Sequence, residues 1–330
     1  MIKRLFTTLT ILWCVFTINI SLYSQDSHYS QFDASPVLLN PALQGHISGG
    51  YRMVLMHRNQ WASALNSGGF ATPSIALDVN IDWFTRSSFG VGAGFINDRT
   101  PGGNMTRNTS FGGFAFHLSI DPNRKHYFSI GYQHGVINTR VNATNLLFES
   151  DLLGEEKEVF TNTSVSNGES RIGGAWTSYI NDKYTFMIGG AFIHTGGVSE
   201  TFINTISTTP TKLVLHGELE YNLLEKFQIK PYFLYMRQGT FEQTVAGVQG
   251  QLNMNLGTKV FASVGYRTSD AMIITGGLEL IESIRLAASY DINTSPLRAA
   301  TNGNGAFEIS LQYVGQIARS FKQVEPKIRY

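Results

Sequence analysis

Charge is scarce in this sequence. Asp, Glu, Lys and Arg make up 15% of its 330 residues, against roughly 25% in soluble domains. They cancel to a formal net charge of +1, which gives no electrostatic footprint for nucleic acid. Cysteine is nearly missing. The one cysteine, Cys14, lies in an apolar N-terminal run and lacks the small residues that precede a lipidated cysteine. Without that run the chain has no disulfide, no thiol nucleophile and no Cys-ligated metal site. Long apolar stretches are missing too. Past the N-terminal run, no segment reaches the ~18 unbroken apolar residues of a membrane helix. Aromatic residues (12%) and glycine (33 residues) are plentiful.

The N-terminus has the layout of a secretory signal. Lys3 and Arg4 form a basic start, residues 5–20 an apolar stretch, and Ser21-Leu22-Tyr23-Ser24 a cleavage region that makes Gln25 the first mature residue. The competing reading is a retained anchor; the shortness of the apolar run and its small-residue end favour residues 1–24 as a signal peptide.

From Gly49 onward the pattern has period two. Ile284, Leu286, Ala288, Tyr290 and Ile292 alternate with Arg285, Ala287, Ser289 and Asp291. Phe307, Ile309, Leu311 and Tyr313 alternate with Glu308, Ser310 and Gln312, and Ile75 to Trp83 behaves likewise. In the stretch 212–222 the alternation has one exception, Val214. Such alternation predicts strands with one apolar and one wet face. A soluble sandwich would carry many Lys and Glu on its wet face, whereas here that face is rich in Ser, Asn, Gln and Gly.

Strands are predicted near 50–58, 73–83, 88–97, 109–120, 126–136, 169–180, 184–194, 212–222, 226–236, 241–253, 256–267, 271–281, 283–292 and 305–314. Every second connection is tight, and the long ones (59–72, 98–108, 137–168, 195–211, 293–304) all fall between them. This sorting is that of a barrel with short periplasmic turns and longer outer loops. The sequence therefore predicts an all-β, transmembrane antiparallel β-barrel of about fourteen strands over 49–314 in the bacterial outer membrane, with both termini periplasmic. Residues 25–48 are expected as a periplasmic segment and 315–330, with Arg319, Lys322, Lys327 and Arg329, as a basic periplasmic tail. The long loop with Glu155, Glu156 and Glu158 is expected outside the cell.

Few residues suggest chemistry. His117 and Ser119 share a strand face, and a Ser–His pair can activate a nucleophile. No orienting group or oxyanion donor accompanies them, so lumen lining is the simpler reading. The other histidines, among them His57, His126, His134, His194 and His216, show no metal-ligand spacing, and no cofactor is expected. Gly102-Gly103 links no buried strand to a helix and reads as a turn. The charges of the wet face matter more. Arg52 shares parity with Arg58, and Asp78 with Asp82. Glu279 and Arg285 flank a tight turn symmetrically and should face each other across a hairpin in the lumen. A buried unpaired ion costs several kcal/mol, so these charges need partners, either in an internal network or in a plug or client segment. Trp61 and Trp83 fall near strand ends as interfacial aromatics, with Trp61 also placed to meet a surface partner.

Several motifs together resemble the PorP/SprF family of outer-membrane proteins of the type IX secretion and gliding machinery. They are Asn40-Pro41-Ala42 with Gly45, then Tyr51-Arg52, Arg58-Asn59-Gln60-Trp61, Thr72-Pro73-Ser74-Ile75 with Asp78, and Gly92-Ala93-Gly94-Phe95 with Asp98. Tyr266-Arg267 with Asp270-Ala271, Ser289-Tyr290-Asp291 and the closing Phe307-Glu308-Ile309-Ser310-Leu311 follow. The likeness runs over the whole mature chain, although Gln25 to Phe32 fits loosely and Leu43-Gln44 departs from the usual pair. The resemblance implies a non-enzymatic barrel that binds secreted cargo with a type IX C-terminal signal, such as an adhesin, for secretion or surface retention. It also implies periplasmic secretion or scaffold partners, with the Asn40-Pro41-Ala42 segment and the basic tail as their contacts. A passive porin or small-molecule transporter is the alternative, and a barrel lipase a remote third.

Overall fold

The computed structural model describes residues 26–317 except 66–67, 83–85, 143–145, 147–153, 155–159, 203–205 and 255–256. The predicted signal peptide, Cys14, Trp83, Glu155, Glu156, Glu158 and the tail past 317 lie outside the described residues.

Strands β1 (Tyr51–Gln60), β2 (Phe70–Ile81), β3 (Ser87–Arg99), β4 (Met105–Ser119), β5 (His126–Val141), β6 (Ser164–Tyr179) and β7 (Tyr184–Ile193) run in sequence order around one wall. A separate hairpin, β8 (Val198–Glu200) with β9 (Ser207–Thr209), interrupts them. The wall resumes with β10 (Lys212–Leu224), β11 (Phe227–Gln238), β12 (Phe241–Asn253), β13 (Lys259–Arg267), β14 (Ala271–Leu280), β15 (Ile284–Asn293) and β16 (Asn304–Gly315). β7 pairs with β10, and β16 pairs with β1, from Tyr51 opposite Gly315 to Gln60 opposite Ala306. The result is a closed antiparallel barrel of fourteen strands, as predicted. Closure leaves no strand edge, so backbone groups are satisfied within the wall, which a lipid setting demands.

Burial is inverted relative to a soluble protein. Outward-facing Ile130, Phe114 and Val264 are 66%, 56% and 53% exposed, while inward-facing Arg267, Asp291 and Glu308 are each 1% exposed. The period-two pattern is the cause: the apolar row faces lipid and the polar row faces inward. No described helix is long and apolar enough to cross a membrane.

The wall is uneven in height. β5 and β6 have 16 residues each, whereas β13 has 9 and β14 and β15 have 10 each. At about 3.3 Å per residue, one side stands roughly 20 Å taller along the strands. The extra residues of β5 and β6 lie at the long-loop end, where Asn138, Thr139 and Arg140 pair with Ser166, Val165 and Ser164. They continue the ladder as a mostly polar ribbon without an apolar face, so hydrophobic alternation missed them and the predicted loop 137–168 was too long.

The lumen is not empty. Residues 26–48, expected as a periplasmic segment, run through it. The segment contains a 3-10 turn (Phe32–Ala34), a single helical turn (Pro36–Leu39) and a second 3-10 turn (Pro41–Leu43). Its apolar side chains meet an inward apolar patch: Phe32 and Leu39 pack against Ile193, Val214, Leu234, Met236 and Ile273. Val54 and Met56 of β1 cover Ala34 and Tyr29. Burying these groups against water-excluding neighbours holds the segment inside rather than in the periplasm.

Candidate functional site

The plug crosses the barrel from the outer mouth toward the periplasmic end, and each portion has its own holding points. Asp26 sits at the outer ends of three strands. Its carboxylate lies 2.8 Å from His194 Nε2 and 3.5 Å from Lys212 Nζ, and its backbone N–H donates to Gln238 at 3.2 Å. Burial pushes this carboxyl up, but His194 and Lys212 outweigh it and hold it well below the usual range.

Ser30 and Gln31 make the tightest junction. Their backbone N–H groups donate to the two oxygens of Glu308 at 2.7 and 2.9 Å. Ser30 Oγ donates to Asp291 at 2.7 Å and accepts from Arg58 at 3.0 Å and from Arg267. Arg58 also pairs with Glu308 and, at 3.3 Å, with Asp291; Arg267 pairs with Asp291 and Asp270, both at 2.9 Å. Gln31 Nε2 donates to Ser289 Oγ at 3.1 Å. Buried ions survive only when paired and hydrogen-bonded, and the plug backbone supplies donors that the wall lacks. Lower down, Asp33 lies 3.4 Å from Lys230 and 3.5 Å from Arg285. Burial raises its carboxyl, and these two cations bring it to a net lowering.

The inner half is seated differently. Pro36 and Pro41 stand at the first positions of their turns, where a fixed φ and a missing N–H cost nothing. Asn40 caps the second turn, accepting from the Ala42 N–H at 2.9 Å. Its Nδ2 reaches Gly174 O at 3.1 Å, Gly190 O at 3.3 Å and His216 Nε2 at 3.0 Å. A Cβ on Gly173 would strike Asn40 Oδ1, and one on Gly131 would strike Pro41. Gly45, at φ +69°, donates to Asp78 at 2.7 Å and lies against Gly90, where neither glycine has room for a side chain. Arg52 grips Asp78 through two contacts of 2.9 and 2.7 Å and reaches Leu43 O at 3.3 Å. His46 closes the seat; burial, then His117 and Arg52, push its imidazole down to about 3.

The predicted motif residues thus gather around one object. Arg58, Arg267, Asp270, Ser289, Asp291 and Glu308 form the outer junction. Asn40, Pro41, Ala42, Gly45, Arg52 and Asp78 form the inner seat. Asn59 and Gln60 end β1, and Trp61, at φ +58°, packs edge-on to Phe70 at 5.7 Å. Tyr290 is outside the network: it faces lipid and donates to Asn304 at 2.8 Å.

Two expectations change. Asn40 and Ala42 are fully buried, so a periplasmic partner cannot reach them. Glu279 does oppose Arg285 in register, but Glu279 pairs with Lys259 at 2.9 Å, while Arg285 turns to Asp33 and stacks 4.2 Å over Phe261. Ser119 and His117 both face the lumen, the simpler of the two readings, and His117 does not pair with Ser119. It bonds Ser129 Oγ and the plug's Gln44 carbonyl, both at 2.7 Å, while Ser119 donates to Asp121 O at 2.9 Å. Asp82 likewise meets Arg124, at 3.3 Å. Among the described residues no three His, Cys, Asp or Glu side chains group as metal ligands. Asp26, Ser30, Gln31, Asp33 and Gln44 were missed. A signal existed: inward Val54, Met56 and Val214 are apolar where a wet lumen calls for polar residues.

Among solved structures, the barrel is similar to the CymD monoaromatic hydrocarbon channel, with TM-score 0.56 and 10% identity over 87% of this chain and 94% of that one. It is also similar to the Ralstonia pickettii toluene transporter TbuX, with TM-score 0.50 and 11% identity over 84% and 92%. At such identities the likeness shows the fold alone. No curated protein matches the sequence. The family model for the type IX secretion system membrane protein PorP/SprF matches residues 21–313. The chain is an outer-membrane barrel associated with type IX secretion and belongs to the PorP/SprF family.

Proposed function

We propose that this barrel binds a secreted protein at its outer face and holds it there or hands it on, without catalysing a reaction. The observation that carries the reading is the filled lumen. A chain whose inward charges are spent on its own N-terminal segment is poorly suited to steady solute flow. The outer rim is what remains for a partner. It is raised on the β4–β6 side and carries the β8–β9 hairpin, which is tied to the wall by Thr139 donating to Glu200 at 2.6 Å. The cargo would carry the family's type IX C-terminal signal. Periplasmic scaffold components would meet the strand turns and the basic tail rather than the buried Asn40-Pro41-Ala42.

Capture of the tagged protein from native membranes tests this. The expected result is co-purification of a secreted protein ending in such a signal; recovery without any secreted or secretion component contradicts it. The competing reading is a small-molecule channel, which the likeness to hydrocarbon channels supports. Large steady currents in planar bilayers would favour that reading.

A further inference from the structure

A cavity of about 90 Å³ remains between the plug and the wall in the outer half of the lumen. Its inner part is apolar, formed by Leu38 and Leu39 of the plug with Ile96, Val214, Leu234 and Met236 of the wall. Its outer part is charged. The register explains the order: Asp98 and Arg107 oppose each other two residues outside the Ile96–Thr109 level, and Lys212 lies two residues outside Val214.

The charged groups on this rim are not equally committed. Arg171 is paired with Glu169 at 2.5 Å, and Lys212 and His194 both meet Asp26. Arg107 is different. It is 9% exposed, its Nη1 stands 3.9 Å from Glu200, beyond hydrogen-bond length, and its Nη2 has no partner among the described residues. Ser35, 2% exposed on the plug side of the same cavity, also has an unpartnered Oγ. A buried guanidinium N–H left open is costly, and a carboxylate is the acceptor that best matches it. Asp98 opposite Arg107 has one oxygen engaged by Thr72 at 2.7 Å, and its charge opposes any anion here, more steeply the more negative charges it carries.

We propose that this cavity is a binding site for a small monocarboxylate with a compact apolar body, its head on Arg107 and Ser35 and its body against the apolar inner part. An apolar cavity of about 150 Å³ accepts a benzene ring. By that scale the space here takes an apolar body of roughly three to four carbon atoms, with the carboxylate head at its charged outer end. The source is either a free short-chain acid or the carboxyl end of a polypeptide entering the mouth. The site does not depend on the secretion reading.

Titration calorimetry of the mature protein in detergent, with butyrate as probe, tests the site. Butyrate is expected to bind saturably. Butyramide, which keeps the shape and loses the charge, is expected to bind at least tenfold more weakly, and acetate, which lacks the body, also more weakly. Arg107→Gln should weaken butyrate binding at least tenfold, and Ile96→Phe should remove it by filling the floor. Both variants are to be compared at unchanged melting temperature. The unmodified protein alone decides if the variants fold poorly: absence of saturable butyrate binding, or equal binding of butyramide, overturns the proposal. A peptide ending in a free valine carboxylate supplies the second arm. Competition with butyrate assigns the site to chain ends, and no competition assigns it to free acids.

Discussion

Between Asp26 and Asp33 the plug meets the wall mainly through ions: Asp26 with His194 and Lys212, Ser30 and Gln31 with Glu308, and Asp33 with Lys230 and Arg285. Between Asn40 and Gly45 it meets the wall through shape, with Pro41 against Gly131, Asn40 against Gly173 and Gly45 against Gly90. The outer half is a set of polar bonds that protonation or substitution can undo one at a time. The inner half is a close fit that a single added methyl group spoils. A segment held this way can loosen at its mouth end while remaining seated at its periplasmic end.

The largest break in that comparison should come from the outer junction. Glu308→Gln keeps the shape but takes from Arg58 one of its two buried carboxylate partners, and removing one partner of a buried pair costs about 3–5 kcal/mol. The urea midpoint of the folded barrel should fall accordingly; an unchanged midpoint would mean the network is not under strain from desolvation. Next is the inner seat. Gly173→Val forces Asn40 out of place, and overpacking of this kind costs about 1–3 kcal/mol. It should also raise single-channel conductance, since the plug can no longer descend fully, whereas a conductance equal to that of the parent would show the seat to be tolerant.

Acid should sharpen the contrast. The imidazoles of His28 and His46 are both lowered in the folded state, His28 by burial and then by Arg267 and Arg58. For His46, at about 3 against an ordinary 6.5, the unfolded chain binds the extra proton throughout that window. Stability is therefore full above about pH 6.5 and falls as the pH drops toward 3. Asp26 and Asp33, lowered in the fold, contribute stability that is present above the ordinary carboxylate range near 4 and lost below it. Urea midpoints measured from pH 7.5 to 5 should thus decline in the parent and decline less in His46→Gln, with carboxylate losses entering only at lower pH. Equal slopes for parent and variant would contradict the assignment. The smallest effect belongs to the rim: Tyr235→Phe, which removes the exposed hydrogen bond from Tyr235 to Glu242, should shift the urea midpoint by less than any of the changes above.

The wall was legible in the sequence because lipid imposes a strict rule on alternate residues, and Ile284 to Ile292 obeys it without exception. Polar extensions such as 137–141 were not legible, since outside the membrane nothing forces one face to be apolar. The candidate site was half legible. Arg52, Asp78, Arg58, Asp291 and Glu308 stood out as charges in need of partners. Their partner, the plug, has no periodicity of its own and is fixed by contacts scattered along the chain, among them Asp78, 33 residues beyond Gly45, and Gln238, 212 residues beyond Asp26. Val214, an apparent flaw in the alternation of β10, was the clue. It faces inward because Phe32 and Leu39 are there to meet it.

Everything turns on the plug closing the lumen. Conductance across planar bilayers, comparing the mature protein with a variant lacking residues 26–48 whose strand content is verified by circular dichroism, tests that directly. The structure predicts little steady current from the complete protein and large, stable openings once the segment is gone. Large steady currents from the complete protein, or identical traces from both, would contradict it.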